Sequence, residues 1–191
     1  MSRRGDPQKR RDYFDVYGPF EIPRSEGEIR RPGRKWWREQ NDSYDMGELS
    51  GAAGCYLFCL QSGTRFRPWY VGMTIAEAGF EGEVFTDHKL AIYNECVADR
   101  RGRPVLFLFP LVVNADYDEY RFSRARSSKK TVIGWLEKTL MGMAYAQNPE
   151  ISNVRDMTRL KTVTVRGIMG KRAPGRRHDD VRRARQALFG R

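Results

Sequence analysis

The sequence predicts an α/β domain, a small and mainly antiparallel central sheet of three to four strands flanked by helices, with basic extensions at both ends. Three stretches carry this. Cys55-Tyr56-Leu57-Phe58-Cys59-Leu60 is a β-type run, and Gln61-Ser62-Gly63-Thr64 supplies turn chemistry before Trp69-Tyr70-Val71-Gly72, which together read as a hairpin. Val105-Leu106-Phe107-Leu108-Phe109 has the length and unrelieved apolarity of a central strand buried on both faces. Thr131 to Gln147 places Ile133, Leu136, Leu140 and Met143 at helical spacings of three and four, and Asn148-Pro149 ends it.

The remaining elements follow in chain order. Residues 1–49 mix charged residues, Pro and Gly with aromatics at Tyr13, Phe14, Tyr17, Phe20, Trp36 and Trp37, without clear periodicity, and read as an irregular basic arm. The adjacent tryptophans can bury against a neighbouring core or stack on bases, and packing is the favoured role. A domain over 50–168 holds the hairpin, then a helix between Phe80 and Val97 whose start is blurred by Gly79 and Gly82. Arg101-Gly102-Arg103-Pro104 breaks that helix, and the central strand and long helix follow, with an edge strand at Thr162-Val163-Thr164-Val165. The tail over 169–191 holds eight Lys/Arg and two Asp between residues 171 and 191, with a short helix expected across 180–188.

The 191 residues provide for one ordinary domain plus tails. A formal charge of +11 and a pI near 9.9 point to a polyanionic partner, although a solubilising surface would have the same composition. Lys171, Arg172, Arg176, Arg177, Arg182 and Arg183 are the candidate phosphate contacts, a solvated basic helix being the equal alternative. Cys55, Cys59 and Cys96 form no disulfide framework: the first two, on one strand, are separated by four steps of roughly 3.3 Å. They read as small buried residues in a reducing compartment. With two histidines, no Cys/His zinc set is visible. The longest apolar run, Val105 to Val113, is too short to cross a bilayer, and the charged N-terminus is no secretory signal, so a cytoplasmic protein without a membrane partner is expected.

Read singly, the candidate chemical residues have ordinary explanations. Tyrosines are common in half-buried strands. Glu137 lies among Ile133, Leu140 and Met141, where a carboxylate either sits at the edge of an apolar stripe or needs a metal or cationic partner. Asn153 follows Pro149 as a loop asparagine, with Asn148 as a competitor.

Taken in order, Gly54-Cys55-Tyr56, Tyr70-Val71-Gly72 with Met73-Thr74, His88-Lys89, Glu137 and Asn153 resemble the GIY-YIG nuclease superfamily over residues 54–153. In that family two short strands carry the tyrosines and a helix carries one metal-binding glutamate. The resemblance implies a metal-dependent endonuclease that hydrolyses phosphodiester bonds in DNA, with water as nucleophile and Mg²⁺ or Mn²⁺ as cofactor. Tyr56 or Tyr70 would handle the proton, Lys89 with His88 the phosphate, Glu137 the metal, and Asn153 the geometry of the pocket. A phenol with a reference pKa near 10 needs cationic help to act as a base, at about 1.4 kcal/mol per unit, and a metal with Lys89 nearby would favour the phenolate.

The sequence departs from the family where an arginine is usual beyond the second tyrosine: none occurs between Phe80 and Ala98. Lys89 and Tyr93 keep the spacing of four that puts both on one helix face, but lysine is a point charge where arginine is a planar fork. Two other classes therefore stand beside the nuclease: a cleavage-deficient nucleic-acid-binding protein of the same fold, and a non-enzymatic interaction protein.

Overall fold

The computed structural model describes residues 13–41, 47–116, 119–124 and 127–153, together with Arg183, Gln186 and Ala187. The expected strand at Thr162–Val165 lies outside them. So do Lys171, Arg172, Arg176, Arg177 and Arg182, whereas Arg183 is helical and exposed.

The hairpin is present and longer than the apolar runs suggested. Strands β5 (Gly54–Ser62) and β6 (Arg65–Thr74) pair antiparallel across a tight turn at Gly63, whose positive φ of 58° suits glycine. The apolar run at 105–109 lies in β7 (Arg103–Asp116), which pairs antiparallel with β5. It is the hub of the sheet.

Among the described residues the sheet has six strands rather than three or four. Two come from the segment read as an irregular arm: β1 (Tyr13–Phe14) and β2 (Tyr17–Glu21) both pair with β7. A third, β8 (Glu119–Phe122), also pairs with β7. Two-residue and Gly-Pro-containing strands carry no alternation to read, and here pairing to a long neighbour supplies what local pattern does not. The same segment continues through a small ribbon, β3 (Arg24–Ser25) with β4 (Glu28–Ile29), into helix α1 (Arg34–Asn41), which buries Trp37.

The expected helix across 80–97 is two. Helix α2 (Gly79–Glu83) is separated by Val84–Thr86 from α3 (Asp87–Ala98), because Thr86 takes an extended backbone just before α3. The long helix α4 (Lys130–Gln147) agrees with the sequence reading except at Met143, which is 63% exposed. At about 100° per residue, the stripe formed by Ile133, Leu140, Met141 and Ala144 is centred close to Glu137, and Met143 falls about a sixth of a turn outside it.

Helices cover both faces of the sheet. On one, Tyr56, Phe58, Tyr70, Leu106 and Leu108 form the main core with Trp37, Phe80, Phe85 and Tyr93 from α1 to α3 and the turn that follows α2. On the other, Cys55, Val71 and Leu111 pack with Ile133, Met141 and Ala144 of α4. All three cysteines are buried free thiols. No helix among the described residues is long and apolar enough to cross a membrane.

Candidate functional site

The sheet order places β6 at an edge, with β5 and β7 inside it. An exposed edge offers unpaired backbone groups, and here the chain leaving α4 covers them. Asn148 is fully buried and donates through Nδ2 to the Pro68 carbonyl at 2.7 Å. The Ser152 amide donates to the Trp69 carbonyl at 2.8 Å. Asn153 imitates a strand partner: its Oδ1 accepts from the Val71 amide at 2.8 Å and its Nδ2 donates to the Val71 carbonyl at 2.6 Å.

Along this edge the two helix layers meet over a cleft of about 700 Å³. Tyr70 from β6, His88 and Lys89 from α3, Glu137 and Met141 from α4, and Asn153 all line it. Five of the six candidate residues, scattered over 84 positions of sequence from 70 to 153, are thus brought together by the fold. The sixth, Tyr56, is not among the lining residues and is fully buried.

Tyr56 and Tyr70 share a face because Tyr56 pairs with Gly72 and Phe58 with Tyr70, and their ring centroids lie 6.2 Å apart. The Tyr56 ring lies over Gly72 so closely that a Cβ there would overlap its phenol carbon and hydroxyl. A Cβ at Gly54 would likewise strike the Phe109 carbonyl. Both triplet glycines therefore answer packing demands. The Tyr56 hydroxyl has no hydrogen-bond partner among the described residues. Burial pushes this phenol well above its usual range, and the neighbouring Tyr93, Tyr70, Glu83 and Glu137 push it in the same direction.

Tyr70 is placed differently. It is 8% exposed, and its hydroxyl accepts a 2.8 Å hydrogen bond from Lys89 Nζ, which also lies 5.0 Å from the ring centroid. Lys89 sits in the first turn of α3, where the helix dipole disfavours a cation. Glu83 offsets this, with Oε1 3.8 Å from Nζ, and both side chains are largely covered. Tyr93, four residues beyond Lys89, is fully buried and stacks on Phe58 at 4.3 Å, so it acts as the floor of the site rather than a cleft residue. His88 is exposed at the rim.

Two further residues belong to the site. Glu83 could not be foreseen as the partner of Lys89, because their approach depends on the chain break between α2 and α3. Arg100, just past α3, lines the cleft with its guanidinium 4.0 Å from the Trp69 ring centroid. It lies two residues beyond the interval in which the sequence lacks an arginine.

Glu137 occupies the middle of the buried stripe of α4, is half-covered, and lines the cleft. Among the described residues there is no group of three or more His, Cys, Asp or Glu placed to hold a metal. Glu137 alone would offer a hard cation one carboxylate ligand, leaving the other positions to water. Comparison with protein-family models, curated proteins and solved structures gives no match.

Proposed function

We propose that the chain is an endonuclease that hydrolyses phosphodiester bonds in DNA with the help of Mg²⁺ or Mn²⁺, as its resemblance to the GIY-YIG nucleases implies. The observation that carries this reading is the meeting of Tyr70, Lys89, Arg100 and Glu137 in one cleft on a strongly basic protein. Phosphodiester hydrolysis needs a route for a water proton, cations facing the phosphate and relief of leaving-group charge.

Of the two tyrosines, Tyr70 meets the first need. Tyr70 lines the cleft, and its oxygen, held by a hydrogen bond from the Lys89 ammonium, would take the water proton as the phenol passes its own proton on to solvent. Tyr56 is buried and held protonated by its surroundings, so it supports the Tyr70 ring rather than receiving the proton. Lys89 and Arg100 face the phosphate. His88 at the rim is available to protonate the leaving oxygen. Glu137 would hold the divalent ion, which when bound supplies positive charge against the non-bridging oxygens. Asn153 fixes Val71 and, through it, the position of Tyr70.

The test is conversion of supercoiled plasmid to nicked and linear forms by the wild type and by Glu137→Gln, each with and without Mg²⁺. Cleavage only by the wild type, and only with the ion, is the expected result. Intact plasmid with retarded migration in every lane would replace this reading with the cleavage-deficient binding protein.

A further inference from the structure

Beside the cleft lies a second groove of about 540 Å³ whose walls include Arg65, Arg67, Trp69, Arg100, Arg101 and Gln147, with no carboxylate among its lining residues. We propose that this groove is a track for consecutive backbone phosphates of a nucleic-acid strand, joined to the cleft through Arg100. The choice of partner rests on the nuclease reading, whereas the site rests on its own geometry.

The first support is a β-bulge. On β5, Phe58 faces Tyr70 but Cys59 faces Pro68, so Trp69 is an extra residue on β6. Directly opposed residues share a face of a sheet. Arg67 opposes Leu60 and Arg65 opposes Ser62, which puts both arginines on the same face as Phe58 and Tyr70. Without the extra residue the period of two would send them to the α4 side. The bulge aligns cations with the site's tyrosine along one strand. Five strand steps of about 3.3 Å place Arg65 roughly 16 Å from Tyr70, a span of several phosphates.

The second support is preorganisation. Arg100 and Arg67 lie against the Trp69 ring, at 4.0 and 4.8 Å from its centroid. Arg67 is further held by Asn148 Oδ1 at 2.9 Å and is partly neutralised by Glu150 at 3.1 Å. Arg65, Arg100 and Arg101 have no ion pair among the described residues. A guanidinium already stacked loses less freedom on gripping a phosphate, and its planar fork matches two phosphate oxygens.

The experiment measures binding without cleavage. Fluorescence anisotropy of a labelled DNA duplex in EDTA is followed from 50 to 300 mM salt for the full-length wild type and Arg65→Ala/Arg101→Ala, with near-UV circular dichroism to establish that the variant is folded. Each lost phosphate contact should lower the slope of log affinity against log salt by about 0.9, so the double variant should lose roughly 1.8 and bind about tenfold more weakly. Arg65→Lys/Arg101→Lys should recover most of the slope.

A folded alanine variant with wild-type slope overturns the track, as does polyglutamate displacing the duplex as well as unlabelled DNA does. Plasmid cleavage separates the two ideas. Cleavage by the wild type with an unaltered slope in the variant sinks the track and keeps the nuclease. An altered slope with no cleavage by the wild type does the reverse.

Discussion

At the scale of single residues, Tyr56 and Gly72 form a unit whose consequences are opposite for stability. The Tyr56 hydroxyl is buried without a hydrogen-bond partner among the described residues, and desolvating such a group costs about 1–3 kcal/mol. Tyr56→Phe keeps the ring on Gly72 and removes the hydroxyl, so its melting temperature should equal or exceed that of the wild type by a few degrees, read by calorimetry. A clear fall in melting temperature would mean that the hydroxyl has a partner. Gly72→Ala should behave oppositely, since the new Cβ overlaps the phenol carbon as well as the oxygen. Overpacking of this kind costs about 1–3 kcal/mol, or several degrees in a chain of this size. Tyr56→Phe should not rescue it, because the ring carbon remains, whereas Tyr56→Ala should recover part of the loss in a double-mutant cycle.

At the scale of elements, the edge of β6 is held, among the described residues, by side-chain amides rather than by a further strand. Both polar atoms of Asn153 bond the backbone of Val71, one residue from Tyr70. Asn153→Asp keeps the size and one acceptor but loses the donor and sets a carboxylate oxygen against the Val71 carbonyl. It should therefore destabilise more than Asn153→Ala at neutral pH, by about 1–3 kcal/mol beyond it, as denaturant midpoints at equal m-value would report. Equal midpoints would show that the amide contributes little.

The elements also divide by what the sequence could disclose. The hairpin and β7 were legible because short, unbroken apolar runs are bounded by turn residues, and α4 because its apolar residues recur at spacings of three and four over several turns. Their carboxylate at Glu137 stood out because it interrupts such a repeat. The bulge at Trp69 was not legible, since one added residue leaves composition unchanged and shows only in cross-strand register. Strands β1 and β2 were hidden for a related reason: their pairing is dictated by β7, which is distant in sequence. Lys89 was identified, but its contacts with Tyr70 and Glu83 depend on the break at Val84–Thr86. Arg100 lay beyond the helical interval in which an arginine was sought.

At the scale of the whole molecule, the sandwiching of the sheet sets both where chemistry is possible and how stability depends on pH. Among the described residues the helix layers part over the cleft along β6, and the phenols and thiols enclosed in the core are held in their neutral forms. Burial raises the Tyr56 and Tyr93 phenols well above the usual 10.0, raises the Cys55 and Cys96 thiols, and pushes Cys59 up to about 12 from 9.0. For each, the unfolded chain releases its proton at lower pH than the folded chain does. Between the two values the unfolded state therefore binds fewer protons, and stability falls as pH rises. The stabilisation is fully present below about pH 9 and is lost above it, with each group contributing about 1.4 kcal/mol per pH unit while its unfolded form is ionised and its folded form is not. Melting temperature should thus be level from pH 7 to about 8.5 and fall increasingly steeply towards pH 11. Cys59→Ala should remove one such contribution and make the decline shallower between pH 9 and 12, even if the variant starts from a lower melting temperature. A decline as steep in Cys59→Ala as in the wild type would show that this thiol reaches solvent in the folded protein and that the layer enclosing it is looser than its burial indicates.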